Sequence, residues 1–296
     1  MKIIVTGSSG YLGNALVKKL KEQHEVIGID ILASSETMVI GSITDKQLIE
    51  KAFRGSDVII HSAALHKPQM STHSKQQFID VNVLGTQNLL ESAIRHKVKS
   101  FIFTSSTSTF GNALSSGDKK SAVWVNEDLR PVPKNIYGVT KCAAENLCQI
   151  AHQESGLNCI ILKTSRFFAK EKVMKHAIPG FSEENIQAIE YLYRRANISD
   201  IVTAHLQAME RASEIGFDQF IITATTPFQE SDCAELVLDA PATLEKYYPS
   251  YKEIFAKLGW KMFPSLSRVY ANRKARERLG WEPKHSFSEI IENAFS

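Results

Sequence analysis

The sequence lacks the signatures of several functional classes. Its four cysteines show no C-x-x-C spacing and its nine histidines form no H-E-x-x-H pattern, so we expect neither a disulfide framework nor a metal site. A formal net charge of +3 on 296 residues is small, which argues against nucleic-acid or membrane-surface partners recruited by bulk charge. No apolar run approaches the length of a membrane span, and the apolar start at 2–5 is too short for a signal peptide. A cytoplasmic location is therefore the expectation.

Apolar runs alternate with amphipathic helical patterns through the first half of the chain. Such alternation predicts βαβ units, and nearly continuous apolar runs are typical of parallel strands that are covered on both faces. We therefore predict an α/β fold with a Rossmann-type, doubly wound parallel sheet. The predicted strands are Ile3–Val5, Val26–Ile29, Val58–Ile60, Phe101–Phe103 and Cys159–Leu162.

The pattern changes after about Arg166, where prolines interrupt shorter helical stretches. This change predicts a nucleotide-binding domain over 1–165 and a smaller C-terminal α/β lobe, which binds substrate, over 166–296. One later apolar strand, Phe220–Thr223, follows a helical stretch. We expect the segment 196–225 to return to the main sheet, so the boundary is not linear.

A glycine-rich turn follows the first strand and opens a helical pattern. The stretch 6–13, TGSSGYLG, has glycines at Gly7, Gly10 and Gly13, which let the backbone approach a pyrophosphate at a helix N-terminus. Asp30 ends the second strand, where a carboxylate would accept hydrogen bonds from the adenosine ribose and repel a 2′-phosphate. No Arg or Lys follows Asp30 before Lys46. The pattern therefore predicts NAD, in preference to NADP.

A Y-x-x-x-K pattern occurs three times, beginning at Tyr137, Tyr248 and Tyr270. Only Tyr137 begins a long helical pattern inside the nucleotide-binding half and follows a serine-rich strand end. Residues four apart share a helix face, so Tyr137 and Lys141 can point into one cleft for proton transfer. We expect the Lys141 ammonium and a positive nicotinamide to favour the phenolate and to lower the pKa of Tyr137.

These features resemble the extended short-chain dehydrogenase/reductase family, also called the NAD-dependent epimerase/dehydratase family, over nearly the whole chain. Besides the glycine turn and Tyr137–Lys141, the resemblance rests on the segments 61–64 (HSAA), 82–86 (NVLGT), 104–111 (TSSTSTFG), 127–133, 274–276 and 279–283 (LGWEP). It implies that Ser106 is the hydroxyl that binds the reacting substrate oxygen.

The resemblance also assigns binding residues. The cofactor residues that it implies are Gly7, Ser9, Gly10, Tyr11, Leu12, Gly13, Asp30, Ser42, Ile43, Ala63, Ala64, Asn82 and Lys141. The candidate substrate residues are Ser106, Thr107, His66, Arg166 and Arg195. Guanidinium groups suit phosphate binding, and Arg195 is the preferred arginine because it precedes 197–201, which resembles the family segment that faces the substrate. Three positions depart from the common pattern: Ser42 replaces an Asp beside the adenine, Phe110 replaces the usual Tyr before Gly111, and Lys163 occupies a common Arg position.

Two further differences narrow the reaction. In the family that this chain resembles, sugar-nucleotide dehydratases carry Asp and Glu directly after the catalytic hydroxyl, and epimerase-reductases carry Cys at the first of these two positions. This chain has Thr107 and Ser108 at these positions. We therefore expect simple hydride transfer on a nucleotide sugar or a related hydroxyl or carbonyl compound, used once by a dehydrogenase or twice by an epimerase. A carbonyl reductase of a non-sugar substrate and a non-catalytic NAD sensor or regulatory protein stay open as alternatives.

The resemblance further implies a homodimer with a four-helix interface. The long helical patterns over 76–97 and 137–153 are the candidates for that interface.

Overall fold

The computed structural model describes residues 1–115, 117, 120–167 and 178–293. Strands alternate with helices along the first half of the chain, as the apolar pattern predicts. The strands are β1 Lys2–Thr6, β2 Glu25–Asp30, β3 Val39–Ile40, β4 Val58–His61, β5 Ser100–Ser106, β6 Val123–Val125, β7 Asn158–Thr164, β8 Phe217–Ile222 and β9 Arg268–Tyr270. The α-helices are α1 Tyr11–Leu20, α2 Lys46–Ala52, α3 Lys75–Ile79, α4 Gly85–Arg95, α5 Ile136–Ser155, α6 Glu183–Tyr191, α7 Ile198–Ile215, α8 Cys233–Leu238, α9 Ala240–Tyr247, α10 Tyr251–Leu258, α11 Arg273–Leu279 and α12 Phe287–Asn293.

Seven strands form one sheet in the order β3-β2-β1-β4-β5-β7-β8. The neighbours from β3 to β5 pair in parallel, with Ile4 opposite both Ile27 and Ile59. Strand β1 lies inside the sheet and the chain then crosses to either side of it, which is the doubly wound, Rossmann-type topology that we predicted. The prediction that a later strand returns to this sheet is also confirmed, because β8 lies at its edge.

One face of the sheet packs against α4 and α5. Ile4, Ile59, Phe101 and Ile161 are at most 1 % exposed and share a hydrophobic cluster with helical residues such as Cys148. Their strands are buried on both faces, which explains why their sequences are continuous apolar runs instead of alternating ones. This packing fixes the carboxyl ends of β1, β4 and β5 relative to α5.

The chain divides into two compact units. The first comprises 1–111, 131–163 and 202–220, and the second comprises 112–130, 164–201 and 221–296. The second unit has its own core, which includes Ile189, Leu236, Phe255 and Phe287, and a two-stranded parallel sheet of β6 and β9. The assignment of cofactor to the domain over 1–165 and of substrate to the lobe over 166–296 stays a prediction.

Within the described residues, no helix combines the length and the apolar character needed to cross a membrane. The same part of the chain contains no group of three or more His, Cys, Asp or Glu side chains placed to hold a metal ion. All four cysteines are free thiols.

Candidate active site

The glycine-rich turn ends at the N-terminus of α1. Gly10 is the N-cap residue, and no side chain caps the first turn, which also contains no acidic residue. The first helical residues, Tyr11 and Leu12, follow at once. Backbone N–H groups that lack a side-chain cap, together with the positive end of the helix dipole, form a site suited to a phosphate.

Sterics explain two of the three glycines in this turn. Gly7 has φ +77°, and a Cβ there would lie 2.7 Å from the backbone nitrogen of Ala63. A Cβ on Gly13 would lie 1.9 Å from the carbonyl oxygen of Gly7. The backbone of the turn is therefore packed against the start of α1 and against the segment after β4, with no room for a Cβ at Gly7 or Gly13.

The Asp30 carboxylate is hydrogen-bonded to the glycine turn. Its carboxylate accepts a hydrogen bond from the backbone N–H of Ser9 at 3.0 Å, and its second oxygen accepts one from Leu32 at 3.0 Å. A carboxylate has capacity for about four hydrogen bonds. Asp30 therefore lies beside the phosphate turn and retains acceptor capacity for ribose hydroxyls, which fits the role expected from the sequence.

The remaining cofactor candidates lie on two neighbouring segments. The Ser42 hydroxyl lies 2.8 Å from the hydroxyl of Thr44, and Ile43 is buried. Asn82 is buried, and its amide donates to the Leu65 carbonyl and the Thr140 hydroxyl, each at 3.0 Å. Its amide oxygen accepts the Leu65 N–H at 2.8 Å. Asn82 therefore positions the segment that carries Ala63 and Ala64 against α5.

A buried histidine, which the sequence analysis treated only as part of a motif, connects these elements. His61 Nδ1 lies 2.8 Å from the Thr6 hydroxyl and Nε2 lies 3.0 Å from the Thr86 hydroxyl. The Thr86 hydroxyl donates to the Asn82 carbonyl at 2.7 Å, so it accepts from Nε2–H, and we assign that tautomer. Burial, followed by the charge of Lys141, holds the pKa of His61 well below its usual range. His61 is therefore a neutral, structural residue.

Ser106 and Tyr137 meet at the carboxyl end of β5. The Tyr137 hydroxyl is hydrogen-bonded to the Ser106 side chain. Burial raises the pKa of Tyr137 to about 12, and the hydrogen bond to Ser106 opposes this rise only in part. The lowering that we expected from Lys141 and a bound nicotinamide stays a prediction. Desolvation of the phenolate outweighs the stabilising interactions that the protein supplies to it.

Lys141 is buried one helical turn after Tyr137. Its ammonium donates to the Thr104 carbonyl at 2.6 Å and lies 3.9 Å from the centre of the Phe103 ring. Burial lowers the pKa of Lys141 to about 7, although Glu145 opposes this shift. Lys141 can therefore change its charge near neutral pH, which suits a residue of a proton-transfer site.

Two of the candidate substrate residues lie close to Tyr137 and Ser106. The His66 ring packs against the Tyr137 ring, with 5.7 Å between the ring centres. Thr107, which follows Ser106 directly, is buried. Both remain candidates for contact with a substrate.

The arginine candidates belong to the second unit and share one buried carboxylate. Glu190 is fully buried and pairs with Arg166 at 3.0 Å, Arg194 at 2.7 Å and Arg195 at 3.1 Å. Arg195 is also buried, whereas the Arg166 side chain is 28 % exposed. Three guanidinium groups around one carboxylate leave an excess of positive charge. Arg166 is better placed than Arg195 to offer that charge to a ligand.

Glu145 is an ionisable residue of this region that the sequence analysis did not identify. It lies four residues after Lys141 on α5, and its side chain binds Ser105 and Lys163. The signal in the sequence is the regular spacing of Tyr137, Lys141 and Glu145, which puts all three on one helix face.

Comparison with known proteins gives concordant results. The family model described as the NAD dependent epimerase/dehydratase family matches residues 3–221. A UDP-glucose 4-epimerase from Halalkalibacterium halodurans is 26 % identical over 336 residues, covering 100 % of this chain and 95 % of that protein.

Two solved structures illustrate the similarity of fold. A short-chain dehydrogenase/reductase superfamily protein from Agrobacterium tumefaciens with bound NAD has a TM-score of 0.71 and 22 % identity, covering 99 % of this chain and 96 % of the other. A UDP-glucuronic acid 4-epimerase from Bacillus cereus, in complex with UDP-glucuronic acid and NAD, has a TM-score of 0.68 and 24 % identity, covering 100 % and 98 %. With the match of the family model over most of the sequence, the chain belongs to the NAD-dependent epimerase/dehydratase family.

Proposed function

We propose that this enzyme is a UDP-sugar 4-epimerase that uses NAD as its cofactor and Tyr137, Lys141 and Ser106 as its catalytic residues. The observation that carries the proposal is the placement of Tyr137 beside Ser106 at the end of β5, one helical turn before Lys141, whose ammonium donates to the Thr104 carbonyl of the same strand end at 2.6 Å. Tyr137 and Ser106 provide one group that can remove a proton and one that can hold the oxygen from which it is removed.

The residues around the glycine turn fit NAD. The uncapped N-terminus of α1 suits the pyrophosphate, and Gly7 and Gly13 allow the backbone approach that it needs. Asp30 offers acceptors to the adenosine ribose and repels a 2′-phosphate. When bound, NAD supplies reversible hydride acceptance and return.

Tyr137 and Ser106 divide the acid–base work. Tyr137 removes the proton of the sugar C4 hydroxyl as that carbon becomes a ketone, and it returns a proton when the hydroxyl is formed again on the opposite face. Ser106 donates a hydrogen bond to the C4 oxygen and so holds it in place both as the alcohol and as the ketone. With NAD bound, hydride return to the other face of the ketone would give the other epimer.

Positive charge is needed for this proton transfer. With a pKa near 12, only a very small fraction of Tyr137 is ionised at neutral pH. The nicotinamide of bound NAD and a charged Lys141 would both lower that pKa. We expect Lys141 to bind the nicotinamide ribose as well, with its ammonium within reach of the phenol.

The substrate class rests on the relatives and on two features of this chain. The relatives named above are a UDP-glucose 4-epimerase and a UDP-glucuronic acid 4-epimerase. Arg166, with its partly exposed guanidinium, is our candidate for the diphosphate. Thr107 and Ser108 have no carboxylate that could act as acid or base in the elimination of water from the sugar, which favours epimerisation over dehydration.

The test is incubation of the purified protein with NAD and UDP-glucose, UDP-N-acetylglucosamine or UDP-glucuronic acid. We expect one of these to convert to its C4 epimer, observed by proton NMR, without net accumulation of NADH at 340 nm. Stoichiometric NADH would instead identify a dehydrogenase. NAD binding without turnover of the UDP-sugars or of simple alcohols and ketones would favour a sensor or regulatory protein.

The same proposal includes a homodimer. Leu84 and Ile94, before and within α4, are 49 % and 38 % exposed, and Val139 and Ile150 on α5 are 47 % and 46 % exposed. Large apolar side chains exposed along two neighbouring helices favour a second copy of the chain as the occupant. Light scattering on the purified protein should give twice the mass of the chain. The free thiols are compatible with a reducing compartment, and the cytoplasmic location stays a prediction.

A further inference from the structure

Three consecutive residues at the end of β5 contact one face of α5. The Thr104 carbonyl accepts from Lys141, the Ser105 hydroxyl donates to Glu145, and the Ser106 side chain bonds to Tyr137. The helical partners are spaced by four residues, so they follow one another along the same face. Two of the three pairs contain the proposed catalytic residues, and the third pair belongs to Glu145.

The Glu145 side chain is buried and hydrogen-bonded to residues of two strands, β5 and β7. One carboxylate oxygen accepts from the Ser105 hydroxyl at 2.5 Å and the other accepts from the Lys163 ammonium on β7 at 2.5 Å. The side chains of Lys163 and Glu145 are only 1 % and 9 % exposed. Lys163 also approaches the Thr109 hydroxyl at 3.5 Å. Both charges are therefore shielded from water. In the protein interior the dielectric constant is lower, so their electrostatic effects on neighbouring groups are stronger.

The charged and titratable groups that face Lys141 come from three elements. Glu145 on α5 favours its charged form and Lys163 on β7 disfavours it, and Glu145 has the larger effect. The Cys148 thiol on α5 stays neutral in this range, because burial raises its pKa well above the usual value. From β4, the neutral His61 ring feels the charge of Lys141. Glu145 is thus the main source of negative charge for Lys141.

We propose that Glu145 is a positioning residue for the catalytic pair: with Ser105 and Lys163 it fixes β5 and β7 to α5, and its negative charge favours the ammonium form of Lys141. This inference rests on the proposed function for its catalytic meaning. The effect of Glu145 on the protonation of Lys141 is a property of the chain alone, and it can be measured on the protein without NAD or substrate.

A merely structural role predicts something different. Buried ion pairs contribute little net stability compared with apolar residues of similar volume, so a structural Glu145–Lys163 pair could be replaced by neutral side chains without consequence for Lys141. A positioning role predicts that neutral replacement alters the protonation of Lys141 even in a protein that folds normally.

The experiment compares Glu145→Gln with the double variant Glu145→Gln/Lys163→Met. The double variant removes both charges and leaves no unpaired buried ion. Glu154→Gln, at an exposed position of the same helix, is the matched control. The pKa of Lys141 is measured by NMR on protein labelled with ¹³C at lysine Cε, and its signal is assigned by its loss in Lys141→Met.

We expect Glu145→Gln to lower the pKa of Lys141 by about one unit, the scale for loss of a nearby opposite charge. The double variant should show a smaller decrease, because the opposing charge of Lys163 is also lost. In the epimerase assay, the alkaline limb of the pH–kcat profile should move to lower pH by the same amount, with KM for the UDP-sugar changed less than twofold. Glu154→Gln should match the unmodified protein in each measurement.

An unchanged Lys141 pKa in folded Glu145→Gln overturns the inference. If that variant does not fold, an unchanged pKa in the folded double variant has the same meaning. Absence of any epimerase activity in the unmodified protein contradicts the proposed function, whereas the NMR titration still decides the role of Glu145.

Discussion

Replacement of Gly13 by Ala tests the geometry of the phosphate turn. The new Cβ would lie 1.9 Å from the Gly7 carbonyl oxygen and 2.6 Å from its carbonyl carbon. Both atoms belong to the backbone, so relief requires α1 to move away from the turn by more than 1 Å, roughly the difference from an ordinary contact distance. Overpacking of this kind costs about 1–3 kcal/mol, and we expect the upper end.

Helix propensity opposes this cost, because Ala inside α1 is favoured over Gly by about 1 kcal/mol. The net loss should be about 2 kcal/mol. At roughly 2–4 °C per kcal/mol for a protein of this size class, the melting temperature should fall by about 4–8 °C. The assay is thermal unfolding without cofactor, followed by calorimetric titration with NAD, for which we expect at least about tenfold weaker binding because the helix N-terminus is displaced.

Gly10→Ala is the matched control. Its Cβ would lie 3.1 Å from the same oxygen, and its φ of −71° suits any residue. Its melting temperature without cofactor should fall by no more than about 4 °C, since loss of a favourable N-cap residue costs up to about 1 kcal/mol. Equal stability of Gly13→Ala and the unmodified protein, with normal NAD affinity, would refute the close packing of turn and helix.

Three further changes test other parts of the site. Asp30→Ala should weaken NAD by about 10- to 100-fold, since a hydrogen bond to a charged group contributes about 1.5–3 kcal/mol, with less effect on NADP; equal losses for the two cofactors in fluorescence titrations would contradict the role of Asp30. Arg166→Ala should raise KM for the UDP-sugar by about tenfold or more. The fold should stay intact, because Glu190 keeps two other arginine partners. An unchanged KM would show that Arg166 does not bind the diphosphate. Asn82→Leu should destabilise the protein by about 1–3 kcal/mol in urea unfolding, because the Leu65 N–H and carbonyl lose their partner; an unchanged unfolding midpoint would show that these bonds are dispensable.

The strands that the sequence predicts are those buried on both faces. Continuous apolar runs identify β1, β2, β4, β5 and β7, and the return of β8 to the sheet was also predicted correctly. Strands β3, β6 and β9 were missed, since each has only two or three residues and lies outside the alternation of long strands and helices. Short strands are specified by their neighbours more than by their own sequence.

The site shows the same division between local and long-range information. The glycine turn and the Tyr137–Lys141 spacing are local, so a pattern reveals them. The desolvation that raises the Tyr137 pKa could not be predicted, because it depends on how completely the folded chain excludes water from the phenol. Glu145 was missed because its partners, Ser105 and Lys163, lie on strands 40 and 18 residues away.

Tyr137→Phe is the most direct test of the central claim, that this phenol transfers the substrate proton. The Phe side chain keeps the ring beside His66 and removes only the hydroxyl that bonds to Ser106. Epimerisation of the UDP-sugar should slow by at least about a hundredfold, the usual scale for loss of a positioned acid–base group, with NAD affinity unchanged within about twofold. Normal turnover by a folded, NAD-bound Tyr137→Phe protein would contradict the account.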